Sequence, residues 1–144
     1  MQKYLVDNRD FQFVLFEFLE LDKMSAFDRF KQFDRGMYED TLRLAEKIAV
    51  ERLFHVNAAG HKQGCTYDPV TRSVRLPAGY REAACALVEA GFLSISDDPA
   101  IGGTGMPLAI QSCAFEMFCG AGGALMLFFM LGHGAALLIQ HFGT

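Results

Sequence analysis

The chain has 144 residues, the length of one ordinary domain, and 51% of them are apolar. A domain of this length buries about 70% of its unfolded surface, so the composition predicts a folded protein and excludes a disordered one. The formal net charge is −4 with both signs interspersed, so no basic stripe exists to bind phosphate backbones and we expect no nucleic-acid partner.

The cysteines and the N-terminus indicate the compartment. The four cysteines show no CxxC spacing, and two lie in apolar helical patterns where a free thiol packs as a small hydrophobe. They are Cys65, Cys85, Cys113 and Cys119. Residues 1–10 carry acidic side chains where a signal peptide needs an apolar core. We therefore expect a cytoplasmic location.

Three segments in the first third of the chain have helical periodicity. Residues 10–21 favour a helix, although part of the segment also alternates like a strand. Phe27, Phe30 and Phe33 form an aromatic stripe typical of a core-facing helix edge. Residues 38–54 give the clearest amphipathic helix, with apolar side chains on one face and charges on the other.

Periodicity lapses over residues 55–77, which predicts a loop followed by a short β-ribbon. Asp68-Pro69 favours a turn at the centre of that ribbon. Residues 81–90 have the pattern of a helix, and Gly91 suits a left-handed C-terminal cap.

A glycine loop follows at residues 97–107. Gly102-Gly103-Thr104-Gly105 precedes a helix, but it lacks the spacing and lysine of a phosphate-binding P-loop, so the pattern favours a turn with positive φ angles. Asp97-Asp98 has no further oxygen ligands at regular spacing, so we predict no metal site there.

The apolar tract after this loop has two interpretations. From Met117 to Ile139, 23 residues contain no Asp, Glu, Lys or Arg, which is long enough to span a membrane. Three glycines at 120, 122 and 123 instead favour a break between two helices, at about 107–119 and 121–141. No Lys or Arg follows Arg81 to anchor a span, so we favour two helices of a soluble domain.

Two polar residues of the tract are candidates for chemistry. Glu116 stands alone on an apolar helix and must reach water, a cation, a salt-bridge partner or a site, because burial of an unpaired carboxylate is prohibitive. His133 lies among Gly and Leu, where a histidine hydrogen-bonded to backbone is commoner than a catalytic one. No nucleophile stands beside it in the sequence.

Spaced motifs over most of the chain resemble the flavin-dependent acyl-CoA dehydrogenases, in the long form that includes methylthiopropanoyl-CoA dehydrogenases. The motifs, in chain order, are Leu53-x-x-x-Asn57 with Gly60 and Gly64-Cys65, Pro77-x-Gly79-Tyr80-Arg81-Glu82-Ala83, Glu89-Ala90-Gly91-Phe92, Asp98-Pro99-x-x-Gly102-Gly103-x-Gly105-x-Pro107, Glu116-Met117-Phe118, Gly134-Ala135 and Gly143-Thr144. Each motif alone is weak, whereas the ordered set is specific.

The resemblance implies an all-α fold: an acyl-CoA dehydrogenase N-terminal-like helical domain at 37–144, preceded by an extra helical segment at 1–36 and including the short ribbon. In the family this domain packs against a middle β-barrel and a C-terminal helix bundle, which hold the FAD and the catalytic base. Those domains are absent from residues 1–144, so the resemblance assigns no catalytic residue here, and FAD is not expected to bind tightly to this chain alone.

By position, the resemblance implies that Leu125, Met126, Phe129 and His133 form part of an acyl-chain wall for an acyl-CoA substrate, with Glu116 nearby. The family's Ser-Ala-Asn segment is replaced by residues 119–124, which changes the pocket shape. The expected function is therefore a domain or fragment of an acyl-CoA dehydrogenase, partnered by the missing domains or a homo-oligomer. The alternative is a non-enzymatic interaction or membrane-associating module that uses the apolar tract 107–142.

Overall fold

The computed structural model describes residues 5–143, which form helices around one core and a single two-stranded ribbon. The α-helices are α1 (Asn8–Gln12), α2 (Arg35–Ile48), α3 (Phe54–Gln63), α4 (Tyr80–Glu89) and α5 (Leu108–Phe142). Wider π-type turns cover Phe13–Phe18 and Ala49–Leu53, and short 3₁₀ turns cover Leu21–Ala26, Phe92–Ser94 and Pro99–Ile101. The prediction of an all-α fold with a short ribbon is confirmed.

The N-terminal segment is helical as predicted. The Asp7 side chain caps α1 by accepting a hydrogen bond from the Arg9 N–H. The helical path ends after Phe18, and Glu20 adopts a left-handed conformation with φ 49°. Leu15 and Phe16 belong to the same hydrophobic core as the later helices. A boundary at residue 36 stays a prediction.

The amphipathic helix extends further than the sequence pattern indicates. α2 continues through the π-type turn into α3 and ends at Gln63, so the predicted loop over residues 55–63 is wrong. Packing overrides propensity at Gly60, which is buried in α3: a Cβ atom there would lie 2.2 Å from the Tyr80 ring. Gly60 lets α4 approach, and this contact explains a glycine inside a helix.

The ribbon is exposed, as predicted. β1 (Thr66–Asp68) pairs antiparallel with β2 (Ser73–Arg75). The Asp68 carboxylate accepts hydrogen bonds from the Thr71 hydroxyl and from the Val70 N–H. The Thr71 hydroxyl is the main reason that the pKa of Asp68 is lowered. α4 then ends as expected, with Gly91 at φ 74°.

α5 is interrupted inside the glycine cluster, which confirms the predicted break. Gly122 has φ −161° and ψ 62°, outside the helical region. Cys119 Sγ lies 3.9 Å from Met130 Sδ, eleven residues later, whereas eleven residues of straight helix span about 16 Å. The helix therefore folds back on itself. We call residues 108–121 the first arm and residues 123–142 the second arm.

The core lies between α2, α4 and the first arm. Phe92 and Phe118 meet edge to face with ring centroids 5.0 Å apart, and both are fully buried. The first arm also contributes Ile110 and Ala114, with no exposed surface. The second arm contributes two fully buried residues near its beginning, Leu125 and Met126, and Phe129 is packed against the same core.

Candidate functional site

The glycine loop between Asp97 and Met106 holds itself together through its own backbone. The Gly102 N–H donates to the Pro99 carbonyl oxygen at 3.2 Å, and the Gly103 N–H donates to that of Asp98 at 3.1 Å. The Gly105 N–H donates to the Asp97 carbonyl oxygen at 2.9 Å. These three N–H groups are not free to receive a phosphate.

Backbone conformation and close contacts explain why three positions of this loop are glycine. Gly102 and Gly105 have φ angles of 92° and 75°, which favour glycine, so the prediction of a turn with positive φ is confirmed. A Cβ atom on Gly103 would lie 2.1 Å from the Asp97 carbonyl oxygen. The loop thereby fixes the backbone of Asp97.

Asp97 connects this loop to the second arm. Its Oδ1 lies 3.6 Å from His133 Nε2, and both side chains are more than three-quarters buried. The neighbouring Asp98 has a different task, since its Oδ1 accepts a hydrogen bond from the Ala100 N–H at 2.8 Å and caps a 3₁₀ turn. The glycine loop and the second arm therefore meet at Asp97 and His133.

A cleft of about 500 Å³ opens between the ends of the two arms, the glycine loop and the segment around Phe30. Its polar lining is Arg29, Ser96, Asp97, Asp98, Gln111, His133, Gln140 and His141, and its apolar lining is Phe30, Met106, Leu108 and Leu137. Gln111 is only 4% exposed, and its Oε1 accepts a hydrogen bond from the Ser96 hydroxyl at 2.5 Å. It is the only buried polar residue among those that the structure describes.

The five predicted wall residues do not share one surface in this structure. Leu125 and Met126 are buried in the core, and Phe129 is partly buried against it. His133 lines the cleft. Glu116 is exposed and lines a separate depression beside residues 5–11.

The outer face of the second arm is an exposed apolar surface. Six exposed residues recur there at alternating steps of four and three, the spacing at which one helix packs along another. They are Ala124, Phe128, Leu131, Ala135, Leu138 and Phe142, and we call them the outer stripe. Leu131 is 75% exposed and Phe142 is 79% exposed. Sequence reasoning missed this stripe, although its spacing is readable from the sequence.

α5 also has the length and composition of a membrane-spanning helix. Only 17% of its most apolar window is buried. The first arm, however, is packed into the core of this chain, so the second arm alone is available to lipid.

Among residues 5–143, no three His, Cys, Asp or Glu side chains are grouped as metal ligands. The four thiols are free. Burial, with a smaller contribution from Glu116, raises the pKa of Cys113 to about 11, and burial also raises that of Cys119. Neither thiol is activated as a nucleophile.

Comparison with curated proteins relates this sequence to known enzymes. The chain is 33% identical, over its whole length, to the broad-specificity linear acyl-CoA dehydrogenase FadE5 of Mycobacterium tuberculosis. It is 28% identical, over 97% of its length, to a butyryl-CoA dehydrogenase of Syntrophomonas wolfei. The chain is homologous to acyl-CoA dehydrogenases. No protein-family model matches it.

The homology is confined to a part of these enzymes, because the chain spans 23% of the length of each relative. This share agrees with the resemblance to one domain of an acyl-CoA dehydrogenase.

The described residues do not fit the FAD of such an enzyme. The loop N–H groups that would meet a pyrophosphate already bond to the loop's own carbonyl groups. The main cleft carries two carboxylates and one guanidinium group, which does not suit a doubly charged pyrophosphate. No step of the chemistry can therefore be derived from a flavin held by these residues.

Proposed function

We propose that the chain is the N-terminal helical domain, or a fragment containing it, of a flavin-dependent acyl-CoA dehydrogenase. The parent reaction is α,β-dehydrogenation of an acyl-CoA thioester, an oxidation in fatty acid metabolism, carried out in the cytoplasm. On this proposal the rest of the parent protein supplies the flavin site and the catalytic base, since the chain spans only 23% of the length of each relative. This chain contributes a packing surface and part of the acyl-binding wall.

The outer stripe is the observation that carries the proposal. A helix with apolar residues on every face belongs to the interior of a larger protein or to a membrane. The inner face of the second arm meets the core near Met126, whereas the opposite face at Leu131 meets nothing in the described residues. Its heptad-like spacing favours a helical partner, which agrees with the helix bundle of the family.

The acyl wall is the second part of the proposal. Phe129 and His133 are its leading members, because both lie at the edge of the core and are only partly buried. Leu125 and Met126 support them from inside the core. Glu116 lies in a separate depression beside the N-terminal segment, so its part in the wall rests on the family resemblance alone.

The experiment purifies the native protein or complex that contains this chain, with an affinity tag on the chain. Acyl-CoA is then added, and reduction of the bound flavin is measured. Leu131→Glu places a charge in the centre of the stripe and is expected to abolish assembly, flavin content and reduction together. Leu44→Glu is the matched control, since Leu44 is 44% exposed on α2 and outside the stripe. A native assembly without flavin, or equal behaviour of the two variants, would refute the proposal.

A second candidate is a non-enzymatic module in which the second arm enters a membrane, favoured by the length and composition of α5. Its test is flotation of the purified chain with phospholipid vesicles. The membrane module requires the chain to float, whereas recovery in the soluble fraction without detergent counts against insertion.

A further inference from the structure

The cleft at the open end of the hairpin contains two opposite charges that have no ion-pair partner among the described residues. Arg29 and Asp98 both line the cleft, and neither forms a salt bridge within residues 5–143. The Arg29 guanidinium lies over the Phe30 ring, with Cζ 5.4 Å from the ring centroid. Asp97, the other carboxylate that lines it, lies 3.6 Å from His133 Nε2. An unpaired cation and an unpaired anion in one concave site are complementary to a molecule that carries both charges.

A buried amide supplies a third, independent recognition group. Gln111 is 4% exposed, and only its Oε1 takes part in a hydrogen bond within residues 5–143, from Ser96. The Tyr38 hydroxyl is the single side-chain polar atom of those residues that is both sealed from solvent and unbonded. The Gln111 Nε2 is therefore not sealed from solvent, and it is a donor that a ligand in the cleft can use.

The remaining lining is apolar. Phe30, Met106 and Leu137 contribute side chains to the same cleft. A volume of about 500 Å³ suits a small molecule. The ligand that fits has an apolar side group in addition to its two charges.

We propose that this cleft binds a free α-amino acid with an apolar side chain. The ligand carboxylate is bound by Arg29 and by the Gln111 amide N–H, the ammonium group by Asp98, and the side chain by Phe30 and Leu137. Binding is reversible, no covalent step is involved, and the site does not depend on the proposed dehydrogenase function.

The test is calorimetric titration of the purified 144-residue chain with L-leucine. Saturable binding is expected, with at least a tenfold weaker affinity for 4-methylpentanoate, which lacks the ammonium group, and for 3-methylbutylamine, which lacks the carboxylate. Loss of one charge-assisted hydrogen bond weakens binding by about tenfold or more. Equal binding of the three compounds, or no saturation by about 10 mM leucine, would overturn the proposal.

Variants assign the site within the chain. Asp98→Asn retains an oxygen for the cap of the 3₁₀ turn but removes the charge, and Arg29→Gln removes the cation; each is expected to weaken leucine binding at least tenfold. Asp28→Asn is the matched control, because Asp28 pairs with Lys31 outside the cleft. Unchanged affinity in both site variants would place the ligand elsewhere and refute the assignment.

Discussion

The two arms of α5 have similar chemistry and opposite surroundings. Both are rich in apolar residues, and Glu116 is the only charged residue in either. The first arm buries Ile110 and Phe118 completely, whereas the second arm leaves Leu131 three-quarters exposed and Ile139 70% exposed. Composition alone therefore predicts that both arms are covered, and the structure identifies which arm this chain covers by itself.

The two arms differ in how much of their surface other elements of this chain cover. α2, α3 and the turn Ala49–Leu53 contact α5, and buried residues of α2 and of the first arm belong to one core. Beyond Met126 the second arm has no such neighbour on its outer side. In the homologous enzymes, more than three-quarters of the polypeptide lies outside the matched region, and the proposed function assigns the cover of the second arm to the corresponding part of the parent protein.

The comparison is tested most strongly by one substitution made in each arm. Phe118→Ala removes a fully buried ring that packs on Phe92, and it should lower the free energy of unfolding by about 3–5 kcal/mol. Phe128→Ala removes a ring that is 60% exposed, and it should change stability by no more than about 0.5 kcal/mol. Urea denaturation of both variants measures the difference, and similar losses would contradict the distinction between the arms.

The reactivity of the Cys113 thiol measures how well the first arm is buried, and it needs no substitution. Because burial raises the pKa of Cys113 from 9.0 to about 11, its thiolate fraction at pH 8 falls about a hundredfold. Alkylation followed by peptide mass analysis should therefore modify Cys113 far more slowly than the exposed Cys65. The rate at Cys113 should rise about tenfold per pH unit up to pH ~11 in the folded chain; equal rates at pH 8 would mean that the arm is open.

The glycine loop fastens the second arm, so Gly103→Ala should damage both loop and arm. The new Cβ would collide with the Asp97 carbonyl oxygen, which should lower the free energy of unfolding by about 1–3 kcal/mol. Amide hydrogen exchange in residues 133–142 should become faster. Gly132→Ala is the control, since a Cβ there has no atom within 4 Å, and it should stabilise the helix by up to about 1 kcal/mol. A stable Gly103→Ala variant with unchanged exchange would disprove the fastening.

The contact between His133 and Asp97 should contribute the smallest effect. His133→Gln is expected to lower stability by about 1 kcal/mol or less, with faster exchange confined to the end of the second arm. His141→Gln should leave exchange unchanged, because His141 forms no ion pair within the described residues. Equal effects of the two substitutions on exchange would show that the pair does not hold the arm.

Local rules predicted most of the fold. The amphipathic pattern of α2, the Asp68-Pro69 turn and the cap at Gly91 each depend on nearby residues, and the structure contains all three. The predicted loop around Gly60 was wrong, because the glycine at this helical position packs against the Tyr80 ring, twenty residues away in sequence. No local pattern reports such a contact.

The candidate site was harder to predict from sequence. The cleft joins Arg29, Asp98, Gln111 and Leu137 from four separate parts of the chain, and only the fold-back at Gly122 brings the last of these to the others. The acyl-wall residues were predicted from the family resemblance alone, and they stay a prediction. The outer stripe, in contrast, has a regular spacing that can be read directly from the sequence.

Side-chain footprinting with hydroxyl radicals tests the central claim most directly, by comparing the isolated 16.0 kDa chain with the native assembly. The outer-stripe residues Phe128, Leu131 and Leu138 should be labelled strongly in the isolated chain and protected in a flavin-containing assembly. Leu44, exposed on α2, should be labelled alike in both. Equal labelling of the stripe in the two samples would contradict the claim that the rest of an acyl-CoA dehydrogenase covers the second arm.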